Sequence, residues 1–388
     1  MQQAISTQSI MSDFATSTGL SDDSCVSRRY LWTDAFAVCN YLELYRQTGE
    51  QTFLQLALRL VDQVHQILGQ YRKDSARSGW ISGLDEEQAR QHPTRGGLRI
   101  GKQLNEQQPG EPIDESLEWD RDGQYFHYLT KWMHALNRVS QVTGKGIYNQ
   151  WALELAKVAS AAFTYVPSTG GAKRMVWKMS IDLSRPLVNS MGQHDPLDGL
   201  ITYQQLETTA KCFPEMLSEL SLKKEINEMV AMCVGRNWST EDALGIGGLL
   251  TDAYKLVQLI DIHNLHETAR LEALLSNIEY SLRVFVTQNQ LNVPAEYRLA
   301  FRELGLAIGL HAISRMQKCI EQKPEHFTNA KQLLVLLKKL SYFHCIHEFI
   351  ESFWLEPSNQ SIRIWKDHAD INNVMLATSL EPDGYLQS

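Results

Sequence analysis

Two stretches of the chain bring carboxylates, an imidazole and flat aromatic rings together over a few residues. The first is Glu118-Trp119-Asp120-Arg121-Asp122-Gly123-Gln124-Tyr125-Phe126-His127-Tyr128. The second is Gly192-Gln193-His194-Asp195-Pro196-Leu197-Asp198-Gly199. Carboxyl groups held in different protonation states can serve as acid, base or nucleophile. A loop histidine beside them can exchange a proton or hold a hydroxyl. Trp and Tyr rings offer surfaces on which a sugar ring can stack. Asp122, Asp195, Asp198 and His194 are therefore the candidate catalytic groups, and Trp119, Asp120, Tyr125 and His127 the candidate substrate contacts. Both stretches run into the start of an expected helix. Each Asp thus has a competing role as a cap: Asp120 or Asp122 for one helix, Asp195 ahead of Pro196 for the next. A metal site built from His194, Asp195 and Asp198 lacks the helical i, i+4 histidine pair or other clear ligand spacing, and no metal is expected.

Other connections add wall residues. Lys173, Arg174, Trp177, Lys178, Asp182 and Arg185 place cations beside a Trp, which suits a uronate or a phosphate; the competing reading is a solvated loop edge. Trp32 and Asp34 stand at one helix start, and Trp238, Glu241 and Asp242 precede another. Arg298 and Arg302 are one turn apart and could hold a carboxylate of substrate or protein. His368 closes the stretch Trp365-Lys366-Asp367-His368. His311, His344 and His347 fall in apolar helical segments and read as packed structural residues. Gly245-Ile246-Gly247-Gly248 follows no predicted strand and matches no phosphate-loop pattern, so it reads as the start of a helix where backbones approach closely. No Gly-x-Ser-x-Gly elbow is present, no Cys is tied by pattern to a His, and no cofactor is expected.

These residues hang on helices that come in pairs. Apolar spacing predicts helices at 30–47 and 53–68, 123–142 and 148–165, 198–213 and 222–234, 247–262 and 267–286, 300–319 and 329–340, and 341–353 and 371–379. Within a pair the connection is short, as at Thr48-Gly49-Glu50 and Thr143-Gly144-Lys145. These two Thr-Gly pairs are 95 positions apart. In both, an aromatic follows the Gly by four residues (Phe53, Tyr148) and an Ala follows four later (Ala57, Ala152). Between pairs the connections are longer and rich in Trp, Arg, Asp and His. Strand signal is confined to Met175–Ile181, a short extended piece within one such connection.

Composition narrows the class. The 388 residues carry a formal net charge of -8, and no Lys/Arg run forms a phosphate-tracking patch, so no nucleic-acid partner is expected. Cys25, Cys39, Cys212, Cys233, Cys319 and Cys345 form no C-x-x-C pair and read as reduced thiols. No secretory leader is recognised, and no apolar stretch reaches the length of a bilayer span; a cytoplasmic protein without a membrane partner is expected. Residues 1–25 are rich in Ser, Thr and Gln and read as flexible, ahead of one domain over 26–388.

Six hairpins with chemically loaded connections on one face resemble the (α/α)6 toroid of the six-hairpin glycosidase-like superfamily. That group includes glycoside hydrolases, unsaturated glucuronyl hydrolases and the N-acylglucosamine 2-epimerase type of sugar isomerase. The resemblance implies an all-α toroid whose long loops converge on a sugar site. The first expectation is a glycoside hydrolase using Asp122 with Asp195 or Asp198, acting on a small or oligomeric, possibly anionic, sugar. Trp32, Asp34, Trp119, Asp120, Tyr125, His127, Trp177, Lys178, Trp238, Arg298 and His368 would form its walls. The alternatives are a sugar 2-epimerase working through His127, His194 or His368, and a non-catalytic glycan-binding toroid. Oligomeric state is left open.

Overall fold

The computed structural model describes residues 6–21, 27–112, 114–188, 190–213 and 220–387. The chain is all-α, and among the described residues its strands are two or three residues long. It divides into two compact units, Ala15–Val234 and Gly235–Ser388 together with Met1–Phe14.

The N-terminal unit contains three helical hairpins. They are α1 (Leu31–Thr48) with α2 (Gln51–Leu68), α3 (Phe126–Thr143) with α4 (Gly146–Phe163), and α5 (Asp195–Ala210) with α6 (Lys223–Cys233). Helix α3 packs against both α1 and α5, so the first helices of the hairpins stand side by side. The Thr-Gly turns have a common cause. Gly49 and Gly144 take left-handed φ values of 73° and 68°, which a residue with a Cβ adopts only at a cost. Their N–H groups bond back to Tyr45 and Ser140. Each preceding Thr hydroxyl donates to a carbonyl one turn earlier (Leu44, Val139) and accepts the N–H two residues on (Glu50, Lys145). The following helix then buries Phe53 and Ala57, or Tyr148 and Ala152.

Short strands brace the long connections. β1 (Gln124–Tyr125) pairs with β4 (Lys178–Met179), which pairs with β5 (Pro186–Val188); β2 (Thr164–Tyr165) pairs with β3 (Arg174–Met175), all antiparallel. The extended piece expected at Met175–Ile181 is thus shared between two sheets. β1 leads directly into α3, so this sheet sets the direction in which Tyr125 and His127 leave the loop.

The C-terminal unit repeats the plan with α7 (Ala243–His263) and α8 (Thr268–Thr287), α9 (Ala300–Gln322) and α10 (Ala330–Leu340), and α11 (Ile346–Leu355) and α12 (Ala369–Leu380). Asp242 caps α7 by accepting the Gly245 N–H at 2.9 Å. Of the glycines expected to serve close approach here, Gly247 does so, whereas a Cβ on Gly248 would meet open space. A Cβ on Gly247 would lie 2.0 Å from the Gly305 carbonyl oxygen, and one on Gly309 2.5 Å from that of Gly247. Helices α7 and α9 therefore touch backbone to backbone. Gly247→Ala is expected to destabilise the protein by about 1–3 kcal/mol, read as a lower denaturation midpoint. An unchanged midpoint would refute this contact.

Two expectations are corrected here. Thr7–Ser17 is helical, with Ile10, Met11, Phe14 and Ala15 buried, a helical spacing hidden among Ser and Thr. Positions 1–5 and 22–25 of the expected flexible segment lie outside the described residues. Ala243–His263 does reach a bilayer-spanning length, with mean hydropathy 1.2, but 72% of that window is buried, as in a core helix. Cys39, Cys212, Cys233, Cys319 and Cys345 are free thiols, and Cys25 lies outside the described residues.

Candidate functional site

In the N-terminal unit the long connections end at the N-termini of α1, α3 and α5. Because these helices are neighbours, Trp32, His127 and the Asp195–Asp198 turn come into one region.

Helix α5 starts differently from expectation. His194 occupies the N-cap position, and its carbonyl accepts the N–H groups of Leu197 and Asp198. Asp195 is the first helical residue rather than the cap, and Pro196 takes the second position, where a missing N–H costs nothing. Asp195 and Asp198 therefore lie three apart on one helical face. Their surroundings differ. Asp198 accepts from Lys131 Nζ at 2.8 Å and from the Thr130 hydroxyl. Asp195 is 5% exposed, and its Oδ2 has no hydrogen-bond partner. Burial pushes its carboxyl up to about 7, and the charge of Asp198 adds to this, against opposition from Lys131 and the Gly192 backbone. Gly192 leaves space for that carboxyl, because a Cβ there would meet Asp195 Oδ2 at 2.3 Å. One turn thus holds one carboxylate paired with Lys131 and one carboxyl pushed up toward neutrality.

Helix α3 supplies the facing group. His127 sits at a helix start and Lys131 one turn later, on the same face. Trp177 Nε1–H donates to His127 Nδ1 at 3.2 Å, and the two rings stack with centroids 6.0 Å apart. Burial pushes the imidazole down to about 3, with Lys131 adding to the effect. The ring is therefore neutral at physiological pH. Since Nδ1 accepts a hydrogen bond, the neutral ring carries its proton on Nε2 and presents a donor.

Aromatic rings surround this imidazole. Tyr125 stacks on it at 5.4 Å, Tyr128 and Trp32 meet it edge-on at 4.8 and 5.9 Å, and Trp119 meets Trp177 at 5.0 Å. Trp32 Nε1 is buried without a partner, whereas Trp119 is 57% exposed and leaves a face open. The Tyr30 and Tyr128 hydroxyls bond at 2.6 Å.

Several other expected residues are committed to the scaffold. Asp122 is fully buried, accepts from Arg99 Nη1 at 2.7 Å, and also takes the N–H groups of Gly101 and Gly123. It caps no helix, because α3 begins only at Phe126. Asp34 pairs with Arg29 and accepts the Tyr30 N–H at the start of α1. Lys178 is buried against Glu118 Oε1 at 2.7 Å and the carbonyls of Glu118 and Arg121. Lys173 pairs with Glu228, Asp182 with Arg77, and Arg185 donates to the Gln107 carbonyl. Asp120 is exposed and lends its carbonyl to Leu104 N–H. Lys173, Lys178 and Arg185, among the cations expected to hold an anionic sugar, are thus already engaged, while Arg174 is exposed.

Trp238, Arg298 and His368 belong to the C-terminal unit. Trp238 is buried, and its backbone N–H donates to Asn277 Oδ1. Arg298 makes a two-pronged pair with Glu303 at 2.8 and 2.6 Å and lies over Phe353. Arg302 pairs with Asp242. His368 stands at the start of α12 and, with Arg298, Phe301, Trp354, Trp365 and Asn372, lines a shallow cleft. Lys131, Thr130 and Tyr30 escaped the sequence reading, and Tyr128 was given no role in it. The spacing of Lys131 from His127 on one helical face is the signal that could have found it.

No family model and no curated protein matches the chain. Among solved structures, the fold is similar to cellobiose 2-epimerase from Spirochaeta thermophila DSM 6192, with 12% identity over 81% of this chain and 73% of that one, at a TM-score of 0.45.

Proposed function

We propose that this protein is a carbohydrate-active enzyme that moves a proton next to a sugar carbonyl, as an epimerase or isomerase does. The observation that carries this is the Asp195–Asp198 turn. Two carboxyls with different environments define an acid/base function, and Asp195 is the one poised near neutrality. Hydrolysis of a glycoside needs two carboxyls on opposite sides of the scissile bond. Asp195 and Asp198 approach from one side, and Asp122 is occupied by Arg99. The other requirement of proton abstraction beside a carbonyl is a donor to the oxygen where charge develops. Neutral His127, offering Nε2–H, suits that role better than a charged imidazolium, whose proton is too acidic to remain a simple donor. In this reading Asp195 takes and returns the proton, and His127 polarises the carbonyl. Asp198 and Lys131 hold the local charge, while Trp119 and Trp177 carry the sugar face. Asp195, Asp198 and His127 are thus proposed as catalytic or site-forming groups.

The experiment is turnover of aldoses, ketoses and reducing disaccharides in deuterium oxide. The expected result is deuterium at the carbon beside the carbonyl in the wild type. Release of new reducing ends from oligosaccharides without such exchange would replace this reading with the hydrolase. Activity of the wild type toward neither class would leave a glycan-binding protein.

A further inference from the structure

The C-terminal unit contains a second cluster, built from residues that the sequence reading took as packing groups. His311 lies in α9, His344 in the turn before α11, and His347 in α11. One ring nitrogen from each lies within 4.8 Å of the others. The His311 and His347 ring centroids are 4.0 Å apart, and those of His344 and His347 4.5 Å. Three imidazoles do not gather for packing alone, because each carries a polar edge that needs a partner.

Glu351, one turn beyond His347 on α11, organises two of them. Its Oε1 meets His311 Nε2 at 2.9 Å, and its Oε2 meets His347 Nδ1 at 3.3 Å. The Ser379 hydroxyl donates to the same carboxylate. An ionised carboxylate accepts and does not donate, so it fixes the protons on His311 Nε2 and His347 Nδ1. The lone pairs then sit on His311 Nδ1 and His347 Nε2. This is how a carboxylate behind a metal-bound histidine sets its tautomer and basicity. His347 is 7% exposed, and its Nε2 has no hydrogen-bond partner, so a buried lone pair is left without a cation or donor. His344 and His311 are half-buried, which leaves a route in from solvent. Arg315, whose charge acts on His344, is held by Asp383.

We propose that His311, His344 and His347 form a binding site for one late first-row divalent cation, zinc in the first instance, with Glu351 as its positioning residue. Three imidazoles match such ions and do not match magnesium or calcium, which take oxygen ligands. Nitrogens around a tetrahedral zinc lie roughly 3.4 Å apart, so the rings close in by about an ångström on binding. Three protein nitrogens leave one position for water or a substrate atom.

The test uses the full chain, freed of any affinity tag and stripped with a chelator, then titrated with zinc by calorimetry. The expected result is one equivalent bound by the wild type, with a rise in melting temperature. His344→Ala removes a half-buried ligand with little risk to folding and should weaken binding by more than tenfold. Glu351→Gln should weaken it about 10–100-fold while leaving all three ligands in place. His326→Ala, on a histidine paired with Asp261, should bind as the wild type does. Absence of zinc uptake by the wild type, or equal affinity in His344→Ala, would overturn the site.

Discussion

Asp195→Asn is expected to abolish turnover and at the same time to stabilise the protein above neutral pH. The two effects share one cause. Asp195 sits 5% exposed with an unpartnered Oδ2, and burial lifts its carboxyl from 3.8 to about 7. Below about pH 4 both folded and unfolded chains hold the proton, and no penalty exists. Between pH 4 and 7 the unfolded chain ionises while the folded one resists, so stability falls with rising pH by up to about 1.4 kcal/mol per unit. Above pH 7 the penalty is constant. Asn removes the ionisation, and the variant should gain about 1–3 kcal/mol over the wild type at pH 8 and little at pH 4. Urea denaturation at both pH values measures this. The wild-type rate should rise along a limb centred near pH 7, as the basic form of Asp195 accumulates. A variant that loses stability at pH 8, or that retains turnover, would remove Asp195 from the proposed chemistry. Loss of activity with gain of stability is the pattern of a group kept for function at the expense of the fold.

The opposite outcome is expected at Arg99. Its guanidinium donates to Asp122, to the Ile67 carbonyl and to the Gln70 carbonyl, each at 2.7 Å. One side chain therefore satisfies carbonyls at the end of α2 and anchors the loop that carries Asp122. Arg99→Leu leaves a fully buried carboxylate whose ion-pair partner is then Arg72, 3.6 Å away. Breaking a buried pair by removing one partner costs about 3–5 kcal/mol, a large part of the stability of an ordinary protein. The double variant Arg99→Leu with Asp122→Leu should recover part of that loss, because no lone charge remains. A double-mutant cycle in denaturant measures the coupling. Should Asp122→Asn keep full stability while losing turnover, Asp122 belongs with the reacting groups after all.

Much of this was legible before any coordinates. Helix pairing followed from apolar spacing and from Thr-Gly turns, because the left-handed cap is a local property of Gly and the Thr hydroxyl closes its own turn. Twelve predicted helices correspond to α1–α12 within a few residues at most ends. The aromatic and acidic character of the connections pointed to the region where Trp32, His127, Trp177 and Asp195 meet. What misled was the identity of the partners. Asp122 and Asp195 look alike in sequence, each an Asp near a Gly ahead of a helix. Only packing decided that one is held by Arg99 while the other keeps a buried Oδ2 without a hydrogen-bond partner.

The same division holds for the histidines. His344, His347 and Glu351 are close in sequence, but His311 is remote and joins them only because α9 and α11 pack together. By itself the sequence determined the local events: where helices start, where they stop, and which connections are polar or aromatic. The tertiary structure decided which charges are neutralised and which remain buried without a partner, because a carboxyl or imidazole takes its protonation state from neighbours that arrive from elsewhere in the chain.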